Sequence, residues 1–195
     1  STAPLDQPLL QVLAALDQAD VDLVIVSGRP RALLEPLSEY APHVRWAAEH
    51  GSWCCDASGT WCGPDPAPEL DELHALLSQF SSVPGVLIER KSLSMCLHWR
   101  LVPPALKEQL IGAVELACDE WLETRPDFER LDGVEMVEVR RSSANKGAAV
   151  EWARRELPNA RFIAIGDDIT DDDMFAALRK DELAIGVGAR PVHVA

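Results

Sequence analysis

The stretch that most constrains this chain is a short apolar run that ends abruptly in acid. Phe162-Ile163-Ala164-Ile165 is continuous and apolar, the pattern of a strand buried on both faces. Gly166 breaks it, and five carboxylates then fall within the seven residues from Asp167 to Asp173. Beyond them Met174, Phe175 and Leu178 recur at helical spacing. Thr170, with Asp173 three residues on, resembles a capping box. The spacing therefore predicts Asp167 and Asp168 just past the strand's carboxyl end, and Asp171 to Asp173 in a helix's first turn. Such a helix end offsets each well-placed acid by only ~0.3–1 kcal/mol, too little for five. Two readings are open: a solvated acidic helix start, or a site for a hard divalent cation held by oxygen, most naturally Mg2+. Placement at a strand's end, where open α/β sheets bind ligands, favours the metal site.

The rest of the chain must supply what such a site lacks. Net charge is −14 over 195 residues, which argues against nucleic acid or an anionic membrane as partner. An anionic substrate would need a local cluster of Arg and Lys. With 47% hydrophobic residues the chain can bury a real core, yet no run approaches the ~20 apolar residues of a membrane span. No secretory signal pattern opens it, and a cytoplasmic setting is expected. The cysteines (54, 55, 62, 96 and 118) are odd in number and show no CxxC spacing. Reduced thiols fit best, and neither a zinc site nor a disulfide framework is indicated.

In chain order, residues 8–18 read as a helix with Leu9, Val12, Leu13 and Leu16 on one face. Val21 to Val26 reads as a buried strand ending in Ser27-Gly28-Arg29-Pro30, and Pro30 suits the first position of a helix toward Tyr40. Ser27 thus sits at a strand-to-helix turn, either an ordinary turn or a phosphate seat. A strand at Val44 to Ala48 leads to Glu49-His50-Gly51, then to a hairpin turning at Ser58-Gly59. Gly63-Pro64-Asp65-Pro66-Ala67-Pro68 reads as a linker. Past it come a helix near 69–80, strands at 86–90 and 93–100, a helix at about 104–122, and strands near 128–131 and 134–140. This is a compact α+β unit inserted at roughly 67–138, between core segments 1–66 and 139–195. A helix over 146–156 follows, with Ser142, Ser143 or Asn145 as its cap. Lys146 in that helix's first turn opposes the macrodipole, so it is either an exposed lysine or a cation serving a bound anion. A last strand spans Leu183 to Val187.

Taken together, Val26-Ser27-Gly28-Arg29, Lys146-Gly147 and Gly166-Asp167-Asp168-Ile169-Thr170-Asp171 resemble the second, third and fourth motifs of the haloacid dehalogenase superfamily of phosphatases. The order is correct, and the α+β insertion sits where a C2-type cap is found. Further details resemble the trehalose-6-phosphate phosphatase family: Glu49-His50-Gly51, Glu89-Arg90-Lys91, His98-Trp99-Arg100, Val137-Glu138-Val139-Arg140 and Asn145-Lys146-Gly147. The implied fold is α/β, a doubly wound parallel-sheet core carrying an α+β C2-type cap. The family's first motif, Asp-x-Asp-Gly-Thr, supplies its nucleophilic aspartate and does not occur near Ser1. Ser1 to Pro8 instead resembles the stretch leading into the first helix, and the carboxyl end stops short of the family's final helix. A fragment, with the nucleophile upstream of Ser1, is the expectation.

The resemblance implies hydrolysis of trehalose 6-phosphate to trehalose and phosphate through an aspartyl-phosphate. The alternatives are another sugar phosphate, such as sucrose phosphate or a mannosyl-phosphoglycerate, or a non-catalytic module joined to a glycosyltransferase. Ser27 and the Gly28 amide would hold phosphate oxygens, with Arg29, His50 and Gly51 beside them, and Lys146 would neutralise charge. Asp167 is the first choice of Mg2+ ligand; Asp168 and Asp171 would be a second ligand or would orient Lys146. In the cap, Glu89, Lys91, Arg100 and Glu138 match sugar-binding positions, as do Ser143 and Asn145 near the hinge. Without the resemblance, Glu89 with Lys91 reads equally well as a surface ion pair. His98 reads as a packed strand histidine, and the tryptophans as packing, with Trp99 the exception to watch.

Overall fold

The computed structural model describes residues 7–19 and 21–188. The chain divides into two compact units, one running through Gly63 and resuming at Asn145, the other spanning Pro64–Ala144. In the first, α1 (Gln7–Asp17) precedes β1 (Val24–Val26), α2 (Arg31–Ser38) and β2 (Arg45–Ala48). The hairpin β3 (Trp53–Cys55) and β4 (Trp61–Cys62) follows, and after the second unit come α5 (Lys146–Glu156), β9 (Ile163–Gly166), α6 (Asp171–Ala176) and β10 (Leu183–Gly186). The strand expected from Val21 begins only at Val24, and Val21 is exposed. The start expected at Ser1 to Pro8 lies mostly outside the described residues. On α1, Val12 and Leu16 are exposed instead of buried, and α1 joins no core cluster among the described residues.

The parallel pairing expected of an α/β core is present in two places. β1 pairs parallel with β2 (Ile25 opposite Trp46), and β9 pairs parallel with β10 (Ala164 opposite Ala184). The antiparallel β3 and β4 extend the first sheet, in the order β1-β2-β3-β4, while β9 and β10 form a pair of their own. A cavity of about 320 Å3 is lined by both β1 (Val24, Val26) and β9 (Ile163, Ile165). Here the sequence expectation fails: the strand is not buried on both faces. Ala164 packs with Val150, Met174 and Phe175, but Ile163 and Ile165 are 64% and 60% exposed. The α5–α6 side covers one face of β9, and no described core cluster takes in the other.

The second unit is built from α3 (Glu69–Ser78), β5 (Leu87–Arg90), β6 (Ser94–His98), α4 (Pro104–Leu122), β7 (Phe128–Gly133) and β8 (Met136–Arg141). Its sheet is antiparallel in the order β5-β6-β8-β7. Alternation along β6 sends Met95 and Leu97 one way and Ser94, Cys96 and His98 the other. Met95 and Leu97, opposite Val139 and Val137, pack with Leu70, Leu73 and Leu77 of α3 and Leu110, Val114 and Cys118 of α4. Both helices follow the three-to-four residue spacing that buries one stripe, and Pro104 starts α4 where a missing N–H costs nothing. β8 carries this unit past residue 138, through to Ala144. Among the described residues no helix is long and apolar enough to cross a membrane.

Candidate active site

The chain leaves β1 at Ser27, whose amide N donates to the Ala47 carbonyl at 2.8 Å and whose Oγ accepts from the Arg29 amide at 3.2 Å. β2 ends beside it in the turn Glu49-His50-Gly51. The Glu49 amide donates to the Arg29 carbonyl, and the His50 amide to the Ser27 carbonyl, each at 3.0 Å. Two glycines make this lacing possible. A Cβ on Gly28 would lie 2.5 Å from the His50 ring, and Gly51 combines a φ of +96° with a close approach in which a Cβ would lie 3.0 Å from the Ala149 amide nitrogen. Glu49 and His50 also hold positive φ, at 49° and 58°. For non-glycine residues that conformation persists only when neighbours over-determine it. The turn is thereby fixed between the Ser27-Gly28 loop and the first turn of α5.

That first turn is capped by Asn145, whose side chain accepts from the Ala148 amide at 3.0 Å. Of the three residues expected to cap it, Asn145 does so; Ser143 is exposed in the turn after β8. Lys146 is not an exposed lysine. Its Nζ donates to Asp171 Oδ1 at 2.6 Å, and both residues are buried. Asp171 Oδ2 accepts from the amides of Asp167 and Asp168, each at 2.8 Å. Burial works to raise the Asp171 pKa, but the Lys146 bond and these amides outweigh it and hold the carboxyl below the usual carboxylate range. The expected capping box does not form. Thr170 already has helical backbone angles and makes no cap bond, and its Oγ1 finds no partner. Asp171 takes the structural role instead, folding the loop over itself. Asp167 and Asp168 are exposed, with Asp168 Oδ1 accepting from the Ile169 amide at 2.6 Å.

A separate polar group lies in the second unit, on the sheet face opposite its apolar core. Lys91 Nζ donates to Glu138 Oε1 at 3.1 Å, and Ser94 Oγ donates to the same oxygen at 2.6 Å. Burial alone would lower the Lys91 pKa, but Cys96, Glu138 and Glu89 overcome it and hold the ammonium above the ordinary lysine value. Cys96 stands opposite Glu89 on one side and Glu138 on the other. His98 Nε2 and Glu89 Oε2 are 3.2 Å apart, so Glu89 pairs with His98 and Lys91 with Glu138. Arg100 does not join this group. It is exposed and bonds Glu135 at the β7–β8 turn, together with Lys107.

Against known proteins, the trehalose-phosphatase family model matches residues 1–195, the whole chain. The chain belongs to the trehalose-phosphatase family. It is 34% identical over 174 residues to a probable trehalose-phosphate phosphatase of Sinorhizobium fredii, an alignment covering 85% of this chain and 62% of that protein. A bifunctional trehalose-6-phosphate synthase/phosphatase of Thermoproteus tenax is 31% identical, with 94% of this chain and 25% of that protein covered. Among solved structures, a trehalose-6-phosphate phosphatase related protein superposes with a TM-score of 0.71 at 26% identity, over 97% of this chain and 80% of the other. The fold is haloacid dehalogenase-like. The chain thus spans less than two thirds of the curated relatives named here.

Ser27, Gly28, Lys146 and the 167–171 loop are brought to neighbouring strand and helix ends of one unit. Oxygen donors suited to Mg2+ are present as the exposed carboxylates of Asp167 and Asp168. Asp171, engaged by Lys146 and two amides, is a less suitable ligand and serves as the brace between them. Ser94 was not singled out by sequence reasoning. Its signal was available only as strand alternation, because it lies two residues before Cys96 on the face that meets Glu138.

Proposed function

We propose that the chain is the phosphatase portion of an enzyme that hydrolyses trehalose 6-phosphate to trehalose and phosphate, dependent on Mg2+. The observation that carries this reading is the buried Lys146–Asp171 pair, tied to the Asp167 and Asp168 amides within a chain matched throughout by the trehalose-phosphatase family. Phosphate monoesters hydrolyse slowly, so the site must position the ester and neutralise its charge. Ser27 Oγ and the Gly28 amide hold phosphate oxygens, flanked by Arg29, His50 and Gly51, whose turn fixes the loop. Lys146, oriented by Asp171, presents a fixed positive charge to the phosphoryl group. Asn145 caps the helix that carries it. Asp167 and Asp168 would hold Mg2+, which supplies charge neutralisation at the phosphate when bound.

The nucleophile is proposed to lie on an Asp-x-Asp-Gly-Thr strand upstream of Ser1. The cavity between β1 and β9 supports this, because two of its walls are strand edges, set over residues of α5 and α6. These 195 residues by themselves are expected to release no phosphate. Glu89, Lys91 and Glu138, with Ser94, are proposed to read sugar hydroxyls, since paired carboxylate and ammonium groups match a ligand offering donors and acceptors together. Arg100 and Ser143 would act at the margin of that set. The bifunctional relative supports a proposed association with a sugar-transferring synthase domain.

Phosphate release over a panel of sugar phosphates, with and without Mg2+, tests the reading in a chain extended through the upstream strand. Trehalose 6-phosphate should be preferred, and activity should vanish on removing Mg2+. A preference for sucrose phosphate or mannosyl-phosphoglycerate would overturn the substrate. No turnover of any sugar phosphate would favour a binding module.

A further inference from the structure

The sequence offers no CxxC spacing and no zinc motif, yet the fold assembles a mixed ligand set in the second unit. One ligand atom each from Glu89, Cys96 and His98 lies within 4.8 Å of the other two, the only such trio among the described residues. Glu89 comes from β5 and the other two from β6. Antiparallel register sets Cys96 directly opposite Glu89, and the two-residue period of the strand puts His98 on the same face.

The spacing of the Glu89 and His98 ligand atoms suits a small tetrahedral ion. His98 Nε2 and Glu89 Oε2 are 3.2 Å apart. With metal–nitrogen and metal–oxygen bonds of about 2.1 Å, the edge of a tetrahedron is about 3.4 Å. The two groups already stand at ligand spacing, held there by their mutual hydrogen bond. Cys96 forms the floor, fully buried, while the Glu89 and His98 side chains are about one-third exposed and leave a path to solvent. Charge favours a cation as well. The nearby Lys91 is bonded to Glu138 at 3.1 Å, while the Glu89 carboxylate is bonded to the His98 imidazole, itself a metal-binding side chain.

We propose that Glu89, Cys96 and His98 form a site for a borderline-soft divalent cation such as Zn2+. The donor set of one thiolate, one imidazole and one carboxylate selects Zn2+ or Co2+ over Mg2+, which prefers all-oxygen coordination. On binding, the proton shared between His98 Nε2 and Glu89 Oε2 and the Cys96 thiol proton both leave to solvent, the neutral imidazole keeping its hydrogen on Nδ1; the sulfur becomes the third protein ligand, with the fourth position left to water. If Glu89 reads the sugar as proposed above, bound Zn2+ would withdraw it from substrate. That consequence rests on the proposed function; the site itself does not.

Co2+ titration of the full chain in excess Mg2+ tests the site without any activity readout. One equivalent should bind with a thiolate-to-cobalt charge-transfer band and tetrahedral ligand-field absorption, and Zn2+ should displace it. Cys96→Ala should abolish the charge-transfer band. His98→Gln and Glu89→Gln, at positions one-third exposed where the change does not threaten folding, should each weaken binding at least tenfold. Cys62→Ala, at the exposed cysteine, should change nothing. Absence of the band, its survival in Cys96→Ala, its loss in Cys62→Ala, or unchanged affinity in both His98→Gln and Glu89→Gln would each overturn the proposal.

Discussion

The two units hold themselves together by different means. The second encloses one continuous apolar core, from Leu70 and Leu77 through Met95 and Leu97 to Val114, Trp121 and Val139. Among the described residues, the first distributes its buried apolar residues among three smaller clusters and leaves Ile163, Ile165 and Leu183 exposed. Both units hold a buried ion pair, Lys91–Glu138 in the second and Lys146–Asp171 in the first, but in the first such ties run between α5 and the β9–α6 and β10 segments that its small clusters leave thinly covered. Lys146 is bonded to Asp171, and Arg154 is bonded twice to Glu182, which also accepts from the Arg179 and Phe162 amides. Charged groups that position a phosphate must be held without being smothered in apolar packing. The unit with the proposed phosphate chemistry therefore spends its interior on polar braces, and the unit proposed to read the sugar keeps a conventional core behind a polar sheet face.

The comparison breaks first, if it breaks, at Lys146. Lys146→Ala leaves Asp171 buried without its cation, and breaking a buried pair typically costs about 3–5 kcal/mol. Hydrogen-exchange protection should fall in α5, β9 and α6 and stay unchanged in β6 and β8. Loss spread evenly over both units would mean that the ionic brace is not local. Leu97→Ala is the counterpart in the second unit. It opens a cavity in a fully buried position, with an expected cost of about 2–5 kcal/mol. Denaturant melting followed by exchange should show residues 64–144 opening first.

A smaller effect separates the units by pH. The Arg154 bond, against the opposing effect of burial, takes Glu182 from 4.5 down to about 2, and Asp171 is also held low. A carboxylate with a depressed folded pKa contributes stability that is present above its unfolded value and lost as pH falls through the folded one. Protection in α5 and β9 should therefore decline as pH falls from about 4.5 toward 2. Glu182→Gln should flatten that decline while costing about 1.5–3 kcal/mol at neutral pH, the usual worth of a hydrogen bond to a charged group. An unchanged acid profile in Glu182→Gln would remove Glu182 as the cause.

Much of this was legible in the residues, and the gaps have physical reasons. The helix over 146–156, the long helix from Pro104 and the antiparallel strands of the second unit follow from periodicity, because each buries one stripe or one face. The apolar run at 162–165 misled, since a continuous apolar pattern reports what could be buried and not whether something covers it. Thr170 misled for a related reason. A capping-box spacing is local, whereas the Asp171 carboxylate was claimed by Lys146 from 25 positions away. The pairing of Lys91 with Glu138, the involvement of Ser94 and the departure of Arg100 toward Glu135 depend on strand register, which no single segment encodes. The trio of Glu89, Cys96 and His98 was invisible for the same reason.

The central claim is a division of labour, with phosphate handled in the first unit and sugar in the second. It is tested by assaying Lys146→Met and Glu138→Gln, in a chain extended through the upstream strand, against trehalose 6-phosphate and a small generic phosphate ester. Lys146→Met should lose both activities by several orders of magnitude, because it removes a charge that both esters require. Glu138→Gln should lose trehalose 6-phosphate turnover at least tenfold and keep the small ester within about twofold. Equal losses of both substrates in Glu138→Gln, or a Lys146→Met variant that still hydrolyses the small ester, would contradict it.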